Sequence, residues 1–191
     1  GGTVKADGEE LTGMKEKDLA ALRLRRLGFV FQNPHLLRTL CLLDNIALPG
    51  FLAGDKPREE IVARARGLMA SMGISELESS DVAEVSGGQL QRASICRALI
   101  NDPEIVIGDE PTGALNSASA AQVLDIMGEI RARGTTVVLV THDPMVAVRA
   151  DRVLVLVDGK ITDDVALGRY SPDAAAERTA RVTSLLASRG V

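Results

Sequence analysis

Two runs, EIVIGDE at residues 104–110 and TTVVLVTHD at residues 135–143, constrain this chain more than anything else in it. Each is a continuous stretch of β-branched and aliphatic residues, the pattern of a strand buried on both faces. Between them Ala120, Val123, Leu124, Met127 and Ile130 recur at helical spacing. Apolar strands separated by a helix predict a parallel sheet covered on both sides, hence an α/β fold. At 191 residues, 46% of them hydrophobic and 25% charged, the chain has the length and apolar content for one domain around one core. Wholesale disorder is excluded.

The flanking segments fit the same plan. GGTVKADGEELTG predicts a strand with turns at Asp7-Gly8 and Thr12-Gly13, followed by a helix over EKDLAALRLRR. RLGFVFQ is a short β-prone run ending on Gln32. PHLLRTLCLLDNIALPGFLAG is apolar but interrupted by prolines and glycines, so it predicts irregular structure with short helices. From Pro57, taken as a first helical residue, Ile61, Val62, Ala65, Leu68 and Met69 define an amphipathic helix that ends by Gly73. Ser86 is placed to cap a helix starting at Gly87-Gly88, with Ala93, Cys96, Leu99 and Ile100 on one face. RVLVLVDGKI predicts a hairpin turning at Asp158-Gly159. Ser171 and Pro172 predict the start of a C-terminal helix over SPDAAAERTARVTSLLASRG.

Several function classes fall away. A net charge of −4 and an aromatic content of 2% argue against nucleic-acid binding, which needs positive charge and stacking platforms. No apolar run approaches the ~20 residues of a membrane helix, and the opening residues do not form a signal peptide. Cys41 and Cys96 stand in no CxxC or Cys/His cluster, which fits reduced thiols and argues against zinc.

Four constellations can carry chemistry. Asp109 and Glu110 end a strand, where ligands bind in open α/β sheets. Two adjacent carboxylates there can divide the work, one helping hold Mg²⁺ and the other orienting or deprotonating a water. A solvated acid pair in a strand-to-helix turn has the same sequence. Ser86-Gly87-Gly88-Gln89 opens a helix, where free amides, a hydroxyl and the positive helix end would stabilise a phosphate. A plain serine cap after a flexible turn reads identically. His142 lies just beyond the second apolar strand, as a phosphate or water sensor or as a structural histidine. Gln32 ends another strand and offers both a donor and an acceptor. Asp109, Glu110, His142 and Gln32 are thereby expected on one rim of the sheet.

Taken in order, FVFQ, VSGGQLQR, IVIGDEPTGALN and VTHD resemble the Q-loop, signature motif, Walker B strand with D-loop, and switch histidine of ABC transporter nucleotide-binding subunits, over nearly the whole chain. DNIALP, GDEPTGAL and THDP are similar to the subfamily serving lipoprotein release, macrolide export and antimicrobial-peptide transport. The resemblance implies a P-loop NTPase-like parallel sheet with flanking helices in a single domain over residues 1–191. Within it, a helical subdomain is implied over residues 33–84, approximately, and a C-terminal helical extension over 165–191. It implies an ATPase that uses ATP and Mg²⁺, with Asp109 and Gln32 toward the metal, Glu110 polarising the attacking water and His142 at the γ-phosphate. Ser86, Gly87, Gly88 and Gln89 would clamp ATP held by a second, facing ATP-binding subunit, with Asn116 at that interface. A transmembrane permease would be the other partner, holding the chain on the cytoplasmic face of the membrane, and no nucleic acid is expected. Leu36, Leu37, Leu40, Leu42 and Leu43 are candidates for docking the permease or for core packing.

The chain also departs from the family pattern. No GxxxxGK[ST] phosphate loop stands among its residues, and none of Lys5, Lys15, Lys17, Lys56 or Lys160 occupies such a context. The chain opens on Gly1 and its first methionine is Met14, so the loop, its strand and an adenine-stacking aromatic are expected upstream, the cassette being N-terminally incomplete. Such a piece is expected to lack ATPase activity alone and to leave an unpaired edge beside the 105–109 strand. Asn116 stands where the family usually has aspartate, Val85 replaces the commoner leucine, and His35 is expected to carry no chemistry. Two other readings are a soluble, non-transport ABC ATPase and a shortened, non-hydrolysing regulatory ABC protein.

Overall fold

A computed structural model of the chain describes residues 2–6 and 8–188, in two compact units, one ending at Leu139 and the other beginning at Val140. The chain opens with an antiparallel pair, β1 (Lys5–Ala6) and β2 (Glu9–Glu10), rather than the single strand predicted, and Gly8 at φ +80° makes the reversal. Asp7, the other turn residue predicted there, lies outside the described residues. Helix α1 (Glu16–Arg26) follows, with Glu16 and Asp18 in its first turn and Arg23, Arg25 and Arg26 in its last, each sign matched to the helix dipole.

The first unit is organised around a three-stranded sheet of order β3-β4-β5, formed by β3 (Leu27–Phe31), β4 (Ile105–Asp109) and β5 (Thr136–Val140). The starts of these strands are bound together at Glu104. Its amide donates to Arg26 O at 3.0 Å, its carbonyl accepts from Thr136 N at 3.0 Å, and its carboxylate pairs with the Arg26 guanidinium at 2.7 Å. The arginine holds the Glu104 carboxyl below its usual range. Two expectations are corrected here. β4 is bonded on both sides, so the unpaired edge expected beside it is absent and the sheet edges run along β3 and β5. Among the described residues the two faces of the sheet are covered unequally. Val30 and Val106 are fully buried beneath Ile95, Val123, Met127 and Ile130, whereas Phe31, Val138 and Val140 on the other face remain 37%, 46% and 57% exposed. An apolar run shows that a strand is β-prone, but the choice of covered face belongs to the helices that pack on it.

The helices come from three places in the chain. α2 (Leu42–Ala53) is continuous through Pro49, where the sequence predicts broken, irregular structure. Proline removes one intrahelical hydrogen bond, but Pro49 O accepts from Asn101 Nδ2 at 3.1 Å and the adjoining Gly50 is buried against Ile61, so tertiary packing carries the helix past it. α3 (Arg58–Ser71) buries Ile61, Ala65 and Met69, and Pro57 stands at its N-cap, so the helix begins one residue after the predicted start. α4 (Gly87–Leu99) runs between two cores. Ala93, Cys96 and Ile100 pack with Leu42, Ile46, Met69 and Ile74, while Ile95 faces the sheet with Val30 and Val106. Against β3 the approach is so close that a Cβ on Gly28 would lie 2.6 Å from the Ala98 carbonyl oxygen. α5 (Ser117–Ala132) buries Val123, Met127 and Ile130 as its spacing predicts.

In the second unit, α6 (Pro144–Ala147) precedes the antiparallel hairpin of β6 (Arg152–Val157) and β7 (Lys160–Ala166). The hairpin turns at Asp158 and Gly159, both at positive φ as an Asp-Gly turn requires. A 3₁₀ turn, Pro172–Ala174, is capped by the Ser171 side chain and leads into α7 (Ala175–Ala187). Buried Arg178 of α7 donates to Val148 O at 3.0 Å, Ala150 O at 2.6 Å and Leu167 O at 2.9 Å, so one guanidinium binds the end of the α6 segment and the end of β7 to the last helix.

Candidate functional site

The parallel register of β3 and β4 builds the site. Leu27 pairs with Ile105 and Phe31 with Asp109, so the strands end together and Gln32 leaves the sheet beside Glu110. The Gln32 amide lies over the turn that follows. A Cβ on Gly113 would stand 2.9 Å from Gln32 Nε2 and 3.3 Å from its Cδ. Asp109 is exposed at the strand end, Glu110 is half-buried, and Glu110 has φ +45°. A left-handed backbone costs a residue with a side chain about 1–2 kcal/mol, and such strain persists where the surrounding structure over-determines it. Two turn bonds do so, from Gly113 N to Glu110 O at 3.1 Å and from Leu115 N to Thr112 O at 3.0 Å. Asn116 then caps α5, its side chain accepting from Ser119 N at 2.9 Å. The exposed carboxylate, the half-buried one and the glutamine amide are thus brought to one end of the sheet.

The predicted phosphate-binding segment is a capping box at the start of α4. Ser86 Oγ donates to Gln89 Oε1 at 2.8 Å, Ser86 N donates to the same oxygen at 3.1 Å, and Gln89 N donates back to Ser86 Oγ. The serine and glutamine therefore satisfy each other, and a phosphate would have to compete with that pair. Gly88 has a packing reason of its own, since a Cβ there would meet Ser119 Oγ at 2.8 Å. Gly87 faces Leu115 more loosely, at 3.9 Å. The glycine pair thus lets the head of α4 cross the turn that leads from β4 into α5.

Three residues that the motif reading passed over hold backbone segments in place. Gln91 is 1% exposed, and its Nε2 donates to Phe31 O at 3.0 Å and Pro111 O at 2.7 Å. Arg97 donates to Pro34 O at 2.5 Å and His35 O at 2.9 Å, and burial holds its pKa below the usual arginine value. Asn45, also 1% exposed, accepts from Leu37 N at 2.7 Å and donates to the carbonyls of Leu37, Leu40 and Cys41 at 3.0 Å each. The available signal was a polar residue at a helix position whose neighbours one turn away are apolar, as Gln91 stands to Ile95 and Asn45 to Pro49. His35 contributes its carbonyl to Arg97 and its ring edge to Phe31, 5.8 Å between centroids. Among the candidate docking leucines, Leu42 belongs to the core, Leu36 and Leu43 pack against it, and Leu37 is 48% exposed.

His142 lies in the second unit, exposed in the bend after β5. Asp143 beside it caps α6 by accepting from Met145 N at 2.8 Å and donates its own amide to Thr141 Oγ1 at 3.0 Å, which defines the backbone on which His142 sits. Cys96 is buried, and burial pushes its thiol up to about 12, so it is a packing residue rather than a nucleophile. Among the described residues no three His, Cys, Asp or Glu side chains converge as a metal cage, and no helix is long and apolar enough to cross a membrane.

An α/β sheet with an acid pair at one strand end, a glutamine at the next and a serine-glycine helix start is the arrangement expected of an ATP-binding cassette. The sequence profile of the family described as ABC transporter matches residues 1–113, and the chain belongs to that family, with its P-loop NTPase-like α/β fold. The macrolide export ATP-binding/permease protein MacB of Rhodopseudomonas palustris (strain BisB18) is 43% identical over 188 residues, which is 98% of this chain and 28% of the relative. MacB of Neisseria meningitidis serogroup A is 42% identical over 181 residues, 95% of this chain and 28% of the relative. The chain thus spans 28% of the length of each of these relatives. Among solved structures, the dimeric ATP-binding cassette MJ0796, in a post-hydrolysis state bound to ADP and Pi, matches with a TM-score of 0.80 and 32% identity, covering 89% of this chain and 75% of that one.

Proposed function

We propose that this chain belongs to the ATP-binding and hydrolysing cassette of an ABC transporter, acting opposite a second cassette and coupled to a transmembrane permease at the cytoplasmic face of the membrane. The observation that carries the reading is the common strand end of β3 and β4, where Gln32 lies over the turn led by Asp109 and Glu110. The donor set fits Mg²⁺, which takes one or two side-chain oxygens and completes its shell with water and phosphate. Asp109 and Gln32 would hold it, and when bound it supplies positive charge to the phosphate oxygens. Glu110 orients the attacking water and accepts its proton as the bond between the γ-phosphorus and the ADP oxygen breaks. His142 donates to the γ-phosphate. Ser86, Gly87, Gly88 and Gln89 present their amides and hydroxyl to ATP on the facing cassette, and Asn116 hydrogen-bonds across that interface without the charge of the family's usual aspartate. Of the five candidate leucines, Leu37 is the exposed one and is the candidate for permease contact. Identity to MacB over nearly the whole chain favours an export system over a soluble ABC ATPase.

The reading requires a phosphate loop, and no GxxxxGK[ST] stands among these 191 residues. The full protein with Mg²⁺ is therefore expected to release phosphate from ATP, while the 191-residue segment alone does neither that nor bind ATP measurably. Phosphate-release and ATP-titration assays on both check this, and turnover by the segment alone would defeat it.

A second test concerns Gly113. A methyl there crowds the flexible end of Gln32 and meets the Glu110 carbonyl oxygen at an ordinary 3.5 Å, so Gly113→Ala is expected to change stability by less than about 1 kcal/mol. It should nonetheless lower turnover about tenfold by displacing the Gln32 amide. A thermal melt and a turnover assay on the same full-length sample separate the two effects.

A further inference from the structure

Gln91 joins the two backbone segments that carry the reacting side chains. Phe31 directly precedes Gln32, Pro111 directly follows Glu110, and the buried Gln91 amide donates to both carbonyls, at 3.0 Å and 2.7 Å. The amide group is planar and rigid, so its two N–H directions set the separation of those carbonyls. Six residues further along α4, Arg97 holds Pro34 O and His35 O. The backbone is therefore fastened to one helix on both sides of Gln32, and that helix begins at the Ser86–Gln89 capping box.

We propose that Gln91 is a positioning residue whose Phe31–Gln91–Pro111 clasp sets the spacing of Gln32 and Glu110 and joins both to the head of α4. A ligand that moves the Ser86–Gln89 end of α4 then shifts the two side chains together, because an α-helix transmits displacement along its axis as a stiff element. The roles of Gln32 and Glu110 rest on the ATPase reading above. The clasp itself does not.

The test is peptide-level hydrogen exchange on the full, nucleotide-free protein over residues 28–37 and 109–116, with ATP turnover measured on the same samples. Gln91→Met keeps the shape and removes both donors, so exchange is expected to rise about tenfold in both segments. Arg97→Met should raise it in residues 28–37 alone. Ser94→Ala is the control, since Ser94 is buried in the same helix and its hydroxyl donates only to Gln91 O of that helix, at 2.8 Å. It should leave both segments unchanged. Gln91→Met is also expected to lower kcat about tenfold, with the KM for ATP within about threefold of wild type, as for loss of geometry in the transition state. If Gln91→Met does not fold, Gln91→Asn keeps the donors on a side chain too short to span both carbonyls and is read in the same way. Exchange that rises in neither segment or in only one, a Ser94→Ala profile matching that of Gln91→Met, or an unchanged kcat overturns the proposal. A wild-type protein without turnover would instead overturn the ATPase reading, and exchange would still decide the clasp.

Discussion

Glu110→Gln in the full protein is expected to lose ATP turnover by about 10²–10⁴-fold while still binding ATP, the range for removal of a positioned general base. The substitution keeps the side-chain length and leaves the φ +45° backbone as it is, so its structural cost is small. What it removes is the capacity to take a proton from water. A glutamate serving only as a turn residue could be replaced with turnover left intact. Turnover and nucleotide affinity measured together decide between the two.

Asn45→Asp is expected to be the most destabilising conservative change in the helical region, by about 3 kcal/mol or more at neutral pH. The amide nitrogen of Asn45 donates to three carbonyl oxygens, and a carboxylate would set a buried negative charge against all three. The sign of the pH dependence follows from that repulsion. Burial among acceptors raises the folded-state pKa of the new carboxyl above its unfolded value, near ~3.9. Below the unfolded value the acid is neutral in both states and can still donate one hydrogen bond, so the defect is smallest there. As pH climbs through the folded-state pKa, stability falls. Denaturant melts of wild type and Asn45→Asp at acidic and neutral pH should diverge with increasing pH, and parallel curves would refute the assignment. Asn45→Leu, which cannot ionise, should show a deficit independent of pH.

Much of the candidate site was legible because its residues stand in short, local words. Asp109 and Glu110 follow a strand-forming run, Ser86 precedes a glycine pair and a helical face, and Gln32 closes another strand, so each residue's place on an element could be read within a window of a few positions. The capping box at Ser86 and Gln89, the α5 cap at Asn116 and the Asp158-Gly159 turn formed where local rules place them. Gln91, Arg97 and Asn45 were not legible as site residues. Their partners are carbonyl groups, which every residue carries, and for Gln91 those partners lie 60 and 20 positions away. A polar residue on an apolar helix face signals that such a bond exists, but not which carbonyl it finds.

The same division runs through the fold. The sequence by itself determined most of the strands and helices, and its motifs determined the family, because backbone preference and hydrophobic period are properties of neighbouring residues. Only the tertiary structure decided that α2 continues through Pro49, that β4 is paired on both sides, and that one sheet face is covered while Phe31 and Val138 on the other stay exposed. It also decided that a buried glutamine holds the turn after Glu110 to the strand before Gln32. These depend on contacts between distant segments, whose energies a local window does not contain. A proline in a helix, or a polar amide in a core, is tolerated only when another part of the chain arrives to satisfy it.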